Sequence, residues 1–145
     1  MKVAIGCDHA GIDMKQAIVK FLTDNKELEL IDFGINEAES DYPDIAERVA
    51  AAIVSGEYER GILICGTGIG MSIAANKIKG IRAAACSEYY GAIYTRKHNN
   101  ANILCLGARI IGEGVACGLA DIFLSTDFDG GKHKRRVDMI TRLEG

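Results

Sequence analysis

The sequence predicts an α/β domain built on a five-stranded parallel sheet, and three observations carry that reading. Short apolar runs recur along the chain, each closed by Gly, Asp or Ser and followed by a segment with helical periodicity. All but one of these runs are apolar at consecutive positions, which suits strands covered by helices on both faces. With 145 residues, 48% of them hydrophobic, the chain has enough apolar side chains for one core and its covering layers, so residues 1–145 read as a single domain.

The first strand is expected over Val3 to Cys7. Met14, Ala17, Ile18 and Phe21 then fall at i, i+3, i+4 and i+7, one face of a helix. The second strand, Leu28 to Phe33, is the one with polar positions. Ala46, Val49, Ala50 and Ile53 repeat the helical stripe, and Pro43, the only proline, sits just ahead of it, where a fixed φ starts a helix without losing a hydrogen bond. The third strand, Gly61 to Cys65, runs into a glycine-rich turn and a helix. The fourth covers Ile81 to Cys86 and the fifth Ile103 to Leu106, with residues 96–102 read as the loop entering it. Val115, Leu119, Ile122 and Phe123 mark the next helix. A turn-rich break ending at Asp129-Gly130-Gly131 leads into a basic stretch and then Val137, Ile140 and Leu143, a last helix expected to leave the body of the domain.

Composition excludes several classes of function. Lys+Arg 17 against Asp+Glu 20 gives a formal charge of −3, without the basic excess that binding to a phosphate backbone draws on, so no nucleic-acid partner is expected. The five cysteines, at 7, 65, 86, 105 and 117, form no C-x-x-C pair and have no histidine nearby at ligand spacing, so no metal site is expected. The amino terminus enters Val3-Ala4-Ile5 directly, too short for a signal sequence, and no stretch reaches the length of a membrane span. A cytoplasmic protein with reduced thiols and no membrane partner is expected.

In an open parallel sheet, ligands bind at the carboxyl edge, where strand ends and helix amino termini converge. The first strand delivers Asp8-His9 to that edge, the second leads to Asp41-Tyr42-Pro43-Asp44, the third delivers Cys65 through Gly70, and the fifth Gly107-Ala108-Arg109. Gly66-Thr67-Gly68-Ile69-Gly70 opening a helix aims free amides at one point and suits an anion, or else is a tight turn whose glycines only let helix and strand pack. Its spacing is G-x-G-x-G after the third strand. It is therefore neither the dinucleotide fingerprint, G-x-G-x-x-G after the first strand, nor a P-loop, which needs Lys-Ser/Thr. Cys65 stands at the last position before the turn, where the amides favour a thiolate able to act as base or nucleophile. Cys7 is the rival strand-end thiol, with fewer glycines behind it.

Other candidates carry two readings each. Asp8-His9 is a helix cap or an oriented acid–imidazole pair. His98 precedes the fifth strand and so lies on the edge away from Cys65; it is a surface histidine, or a second subunit carries it into the first one's site. The run Lys132-His133-Lys134-Arg135-Arg136 is a solvated charge run, or Lys132 and Arg136, four apart on one helix face, grip a phosphate together.

The motifs Gly6-Cys7-Asp8-His9-Ala10-Gly11, Asp41-Tyr42-Pro43-Asp44, Cys65 through Lys77, Gly80-Ile81-Arg82-Ala83-Ala84, His98-Asn99-Asn100-Ala101-Asn102 and Asp129-Gly130-Gly131 resemble, in order and across nearly the whole chain, the ribose/galactose sugar-phosphate isomerases. The resemblance implies a Rossmann-like three-layer α/β/α domain with no metal or other cofactor. It also implies a homodimer, with a tetramer left open, that shares its active sites between subunits through a C-terminal helix reaching the partner. The implied reaction interconverts ribose 5-phosphate and ribulose 5-phosphate. By the same resemblance Cys65 is the base, and Gly66, Gly68, Ile69 and Gly70 belong to the turn that forms the anion hole. His98 opens the sugar ring with help from Thr67; Asp8 and Asn99 bind the sugar; His9, Arg109, Lys132 and Arg136 hold the phosphate; and Asp41 and Tyr42 belong to the substrate site. Some relatives use a glutamate further along the loop as base, whereas this chain resembles the thiol subgroup. Where Lys132 stands, members of the family usually carry arginine, and lysine keeps the charge but loses the fork.

Aldose–ketose interconversion through an enediolate needs a base for a carbon acid, dipoles for the developing oxyanion, and an acid/base to open the ring. Cys65, the turn amides and His98 would supply one each. A metal-assisted hydride shift would want clustered carboxylates and histidines, and the sequence displays no such cluster. The same chemistry on a six-carbon sugar phosphate, and a non-catalytic phosphate-binding module, are the competing readings.

Overall fold

A computed structural model describes residues 1–34 and 41–145. Its strands are β1 (Lys2–Cys7), β2 (Glu29–Asp32), β3 (Arg60–Cys65), β4 (Ala83–Ala85) and β5 (Ile103–Gly107). Its helices are α1 (Ile12–Leu22), α2 (Tyr42–Val54), α3 (Ile69–Ala75), α4 (Tyr89–Lys97), α5 (Glu113–Ser125) and α6 (Lys132–Arg142), with a 3-10 turn at His9–Gly11 before α1. All strand pairings are parallel, in the order β2-β1-β3-β5-β4. Among the described residues, no helix is long and apolar enough to cross a membrane.

The two-residue period of the strands divides the core into two layers. Val3, Ile5, Cys7, Ile62, Ile64, Leu104 and Leu106 face α1, α4 and α5. Ala4, Leu63, Cys65, Ile103 and Cys105 face α2 and α3. Each Ile or Leu buried this way stabilises the fold by about 1.5–3 kcal/mol, so the expected three-layer α/β/α sandwich follows from apolar residues at consecutive strand positions. Gly6 lets α2 lie close on the sheet, because a Cβ there would stand 2.6 Å from Ile45 Cγ2.

Several local expectations are corrected. Phe21, assigned to the inner stripe of the first helix, is 52% exposed. The buried face of α1 is Met14, Lys15, Ile18 and Leu22, and Lys15 is drawn inward by Asp32, whose Oδ2 lies 2.9 Å from its Nζ. Val115 is likewise exposed, and α5 buries Ala116, Leu119, Ala120 and Phe123. Residues 96–102 are not all loop, since α4 runs through Lys97 and His98 caps it. Leu28, Phe33, Ile81 and Cys86 fall outside their strands. The last helix is present as expected over Lys132–Arg142, with Val137 buried and Ile140 exposed, and Leu143 just past its end is exposed too.

Candidate active site

The chain passes from β1 outward to β2 and returns on the other side of β1 as β3, so the strand order reverses between β1 and β3, and in open parallel sheets the crevice that takes ligands lies at such a point, outside the carboxyl ends of the strands. Cys7 pairs with Ile64 in the ladder, which brings Asp8 level with Cys65 across that crevice. The Asp8 amide donates to Ile64 O at 3.1 Å. Its Oδ1 accepts from the Ala10 amide at 2.9 Å and caps the 3-10 turn, as the capping reading of Asp8 expects. Its other carboxylate oxygen makes no hydrogen bond among the described residues. His9, next in the chain, is exposed.

Cys65 ends β3 with 4% of its surface accessible. Its Sγ accepts a hydrogen bond from the Gly68 amide at 3.1 Å. That contact requires the turn to double back within three residues, and Gly68 does so at φ +78°, the left-handed region that side chains with a Cβ avoid. Thr67 Oγ1 accepts from the Ile69 amide at 3.2 Å, fixing the entry to α3, whose first-turn amides have no partner within the helix. The loop after β5 is tied to the same turn: the Ala108 amide donates to Cys65 O at 2.8 Å and the Arg109 amide to Gly66 O at 2.9 Å. Arg109 lays its guanidinium over Gly66, where a Cβ would come within 3.2 Å of it. Tyr42, at the first turn of α2, lays its ring against Gly70 at 2.9 Å from the Cβ position, with Asp41 as the exposed cap residue before it.

The rival thiols are differently placed. Cys7 is fully buried on the α1 side and its thiol is raised above the ordinary range, first by burial, with Lys15 partly opposing. Burial, and then Glu88, pushes Cys86 up to about 11, and burial holds Cys105 well above the usual thiol range.

A second group of sequence-derived candidates gathers on the other edge. His98 follows α4 and precedes β5, whose first residue pairs with Gly61 and whose last pairs with Cys65. The four-step length of that strand, about 13 Å, separates the two edges. The His98 ring stacks on His133, centroids 4.0 Å apart and planes 9° apart. Lys132 and Arg136 share the first turns of α6 with His133. His133 is held below the usual histidine range, first by loss of solvent and then by its neighbours His98, Lys132 and Arg136, with Asp129 opposing. Asn99 lines a cleft of about 650 Å³ at this edge, together with Arg82, Ile140 and Leu143.

One protomer thus unites Asp8, His9, Asp41, Tyr42, Cys65 through Gly70 and Arg109, and it does not unite them with His98, Asn99, Lys132 or Arg136. Sequence reasoning missed Asp129 and His133 as neighbours of His98. The available signal was Gly130-Gly131, whose positive φ values of 69° and 56° fold the chain back there.

A thiol held against a backbone amide at a switch point, with a guanidinium over the same turn, defines an α/β protein whose candidate site suits a small anionic ligand. The family model described as Ribose/Galactose Isomerase matches residues 3–140, and the chain belongs to that family; it is an isomerase of the aldose–ketose kind. Ribose-5-phosphate isomerase B of Escherichia coli is 47% identical, over 99% of this chain and 96% of that protein. D-erythrulose-4-phosphate isomerase of Pectobacterium atrosepticum is 44% identical, over 99% of this chain and 95% of its own length. The structure of ribose-5-phosphate isomerase B of Clostridium thermocellum superposes with a TM-score of 0.95 at 50% identity, covering 99% of this chain and 97% of that one.

Proposed function

We propose that this chain is a metal-independent isomerase that interconverts ribose 5-phosphate and ribulose 5-phosphate through a cis-enediolate. The observation that carries the reading is the Gly68 amide on the Cys65 sulfur at the β1/β3 crevice. The thiolate of Cys65 takes the proton from C2 of the open-chain aldose. The C–H electron pair moves into the C1–C2 bond, and the carbonyl electrons go to O1, which the turn amides of Gly66, Gly68, Ile69 and Gly70 stabilise, Gly68 dividing its hydrogen between O1 and the Cys65 sulfur and Ile69 between O1 and Thr67 Oγ1. A proton then passes from the O2 hydroxyl to O1, the O2 electrons form the C2 carbonyl, and the C1–C2 π pair takes the proton back from Cys65 at C1, which completes the ketose. One such donor is typically worth about 2.7–4 kcal/mol in a dry site. His98, with Thr67, moves the proton that opens the furanose. Asp8 and Asn99 bind sugar hydroxyls, Asp41 and Tyr42 wall the sugar, and His9, Arg109, Lys132 and Arg136 take the phosphate.

The two edges require two chains. A twofold dimer brings the amino-edge group of one protomer over the carboxyl-edge group of the other, and each residue is then used twice. Exposed apolar residues support this. Ile69 and Ile73 on α3 are 55% and 57% exposed beside the glycine turn, and Leu143 after α6 is 85% exposed. We read the protein as a homodimer of single-domain chains, α6 reaching the partner, in a cytoplasm that keeps its five cysteines as the free thiols they are here.

The test mixes Cys65→Ala and His98→Ala proteins, each inactive alone, under conditions that exchange subunits. Every heterodimer regains one intact site, so random mixing should restore about a quarter of wild-type turnover of ribose 5-phosphate. No recovery would remove His98 from a shared site, and undiminished turnover by Cys65→Ala would remove the base. Six-carbon sugar phosphates assayed in parallel decide the chain length.

A further inference from the structure

We propose that His98, Asp129 and His133 form a binding site for a divalent transition metal of the Zn²⁺ class, and that filling it switches the isomerase off. The inhibitory half rests on the ring-opening role proposed for His98; the binding half does not.

The sequence does not display the cluster, because Asp129 and His133 lie 31 and 35 positions after His98. The fold joins them. The His98 amide donates to Tyr94 O at 2.8 Å, the Asp129 amide to Lys97 O at 3.0 Å, and the His133 amide to Gly130 O at 3.0 Å, so three backbone anchors hold the three side chains on one patch. One ligand atom from each lies within 4.8 Å of the others. Among the described residues, neither imidazole makes a side-chain hydrogen bond, and the Asp129 carboxylate makes no hydrogen bond or ion pair. Two imidazoles and a carboxylate therefore converge with their lone pairs unclaimed, a donor set that suits zinc with one position left for water.

Tetrahedral ligands at about 2.1 Å from zinc stand about 3.4 Å from one another. Separations of up to 4.8 Å must therefore contract by up to about 1.4 Å. The stacked rings direct their lone pairs along nearly parallel lines, so one imidazole has to turn about its χ2 to converge on the ion. All three side chains are at least partly exposed and can turn without disturbing the core. Coordination consumes the lone pair of one His98 nitrogen and leaves the proton on the other. His98 then has no basic nitrogen with which to accept the ring hydroxyl proton.

The experiment titrates Zn²⁺ by calorimetry, and Co²⁺ by its d–d absorption, into the wild-type dimer, His133→Gln, Asp129→Ala and Cys65→Ala, with thermal melts confirming that each variant folds. One ion per chain is expected. Affinity should fall by at least about 10–100-fold in His133→Gln and Asp129→Ala and hold in Cys65→Ala. Zn²⁺ should abolish turnover of ribose 5-phosphate in the wild type, and a chelator should restore it. Absent binding, binding unchanged in both variants, or a cobalt–thiolate charge-transfer band lost in Cys65→Ala would overturn the site. Binding without inhibition of an active enzyme, or activity lost to a chelator, would overturn the switch. A wild-type protein that binds Zn²⁺ here but never turns over ribose 5-phosphate counts against the proposed function and leaves the binding site standing.

Discussion

Replacing Gly68 by alanine separates the work of the glycine turn from ordinary glycine effects. Gly68 holds φ +78°, a region that costs an L side chain about 1–2 kcal/mol. A Cβ there would also stand 2.9 Å from the carbonyl carbon of Leu106 and 3.2 Å from the carbonyl carbon and oxygen of Cys105. Those atoms are β5 backbone, which has no rotamer with which to yield, so the turn itself must move. Gly56 provides the control, at φ +82° with nothing within 4 Å of its Cβ position. Gly56→Ala bears only the conformational cost, offset by about 0.4–1 kcal/mol from a stiffer unfolded chain. Denaturant melts at one fixed protomer concentration should show Gly68→Ala losing at least about 1 kcal/mol more than Gly56→Ala. The larger effect should be on catalysis. Movement of the turn takes the Gly68 amide off the Cys65 sulfur and misaligns the neighbouring donors, and one misplaced oxyanion donor typically lowers kcat by about 10²–10³-fold. Gly56→Ala should keep wild-type kcat. If Gly68→Ala melts with Gly56→Ala and keeps its kcat, the turn neither needs glycine nor supplies the dipoles.

The thiols and the phosphate cations give two further predictions. Burial raises the thiols of Cys7, Cys86, Cys105 and Cys117, Cys86 to about 11. Because only the thiolate alkylates, these four should stay unmodified at pH 8 and Cys86 should begin to react only as the pH approaches 11. Iodoacetamide followed by peptide mass spectrometry should find inactivation at pH 8 tracking a single modification, at Cys65, slowed by substrate; inactivation tracking any other cysteine would refute this. Lys132→Arg, which restores a fork for a phosphate, should lower KM for ribose 5-phosphate with kcat unchanged, and Lys132→Met should raise KM about tenfold or more. A change confined to kcat would place Lys132 in the chemistry.

The strands were readable because burial on both faces demands apolar residues at consecutive positions, as in Ile62-Leu63-Ile64. The helices were readable where their inner faces are aliphatic. Helix α4 was not, because the two residues it buries are Ala92 and Arg96. Arg96 is satisfied by groups outside its helix: its guanidinium donates to Ala101 O at 2.6 Å and Asn100 Oδ1 at 2.9 Å in the loop that follows, and to Thr126 O at 3.1 Å, thirty positions on. Lys15 defeated the stripe of α1 in the same way, through Asp32. The carboxyl-edge half of the candidate site was legible because its members end strands, and strand ends in a parallel sheet converge. The amino-edge half was legible as motifs but not as a place. Nothing local to His98 announces that two left-handed glycines return Asp129 and His133 to it.

The division of the candidate residues between two edges also bears on why this surface is left unfinished in a single chain. A thiolate base works in a dry, low-dielectric pocket, where amide dipoles gain strength. Cys65 has its dipole, yet the residues around it, Tyr42, Ile69, Ile73, Ile110 and Arg109, are exposed. In one protomer the sulfur is itself buried, but the apolar residues outside it face solvent, which is a cost. In the proposed dimer, a second copy would cover that rim and bring the proposed acid/base group, which each chain holds on its other edge, a strand length of about 13 Å away, to the sulfur of its partner. On that proposal association and catalysis would draw on the same buried area, so a variant that cannot dimerise should lose turnover of ribose 5-phosphate even with Cys65 and His98 intact, and a fully active monomer would refute it.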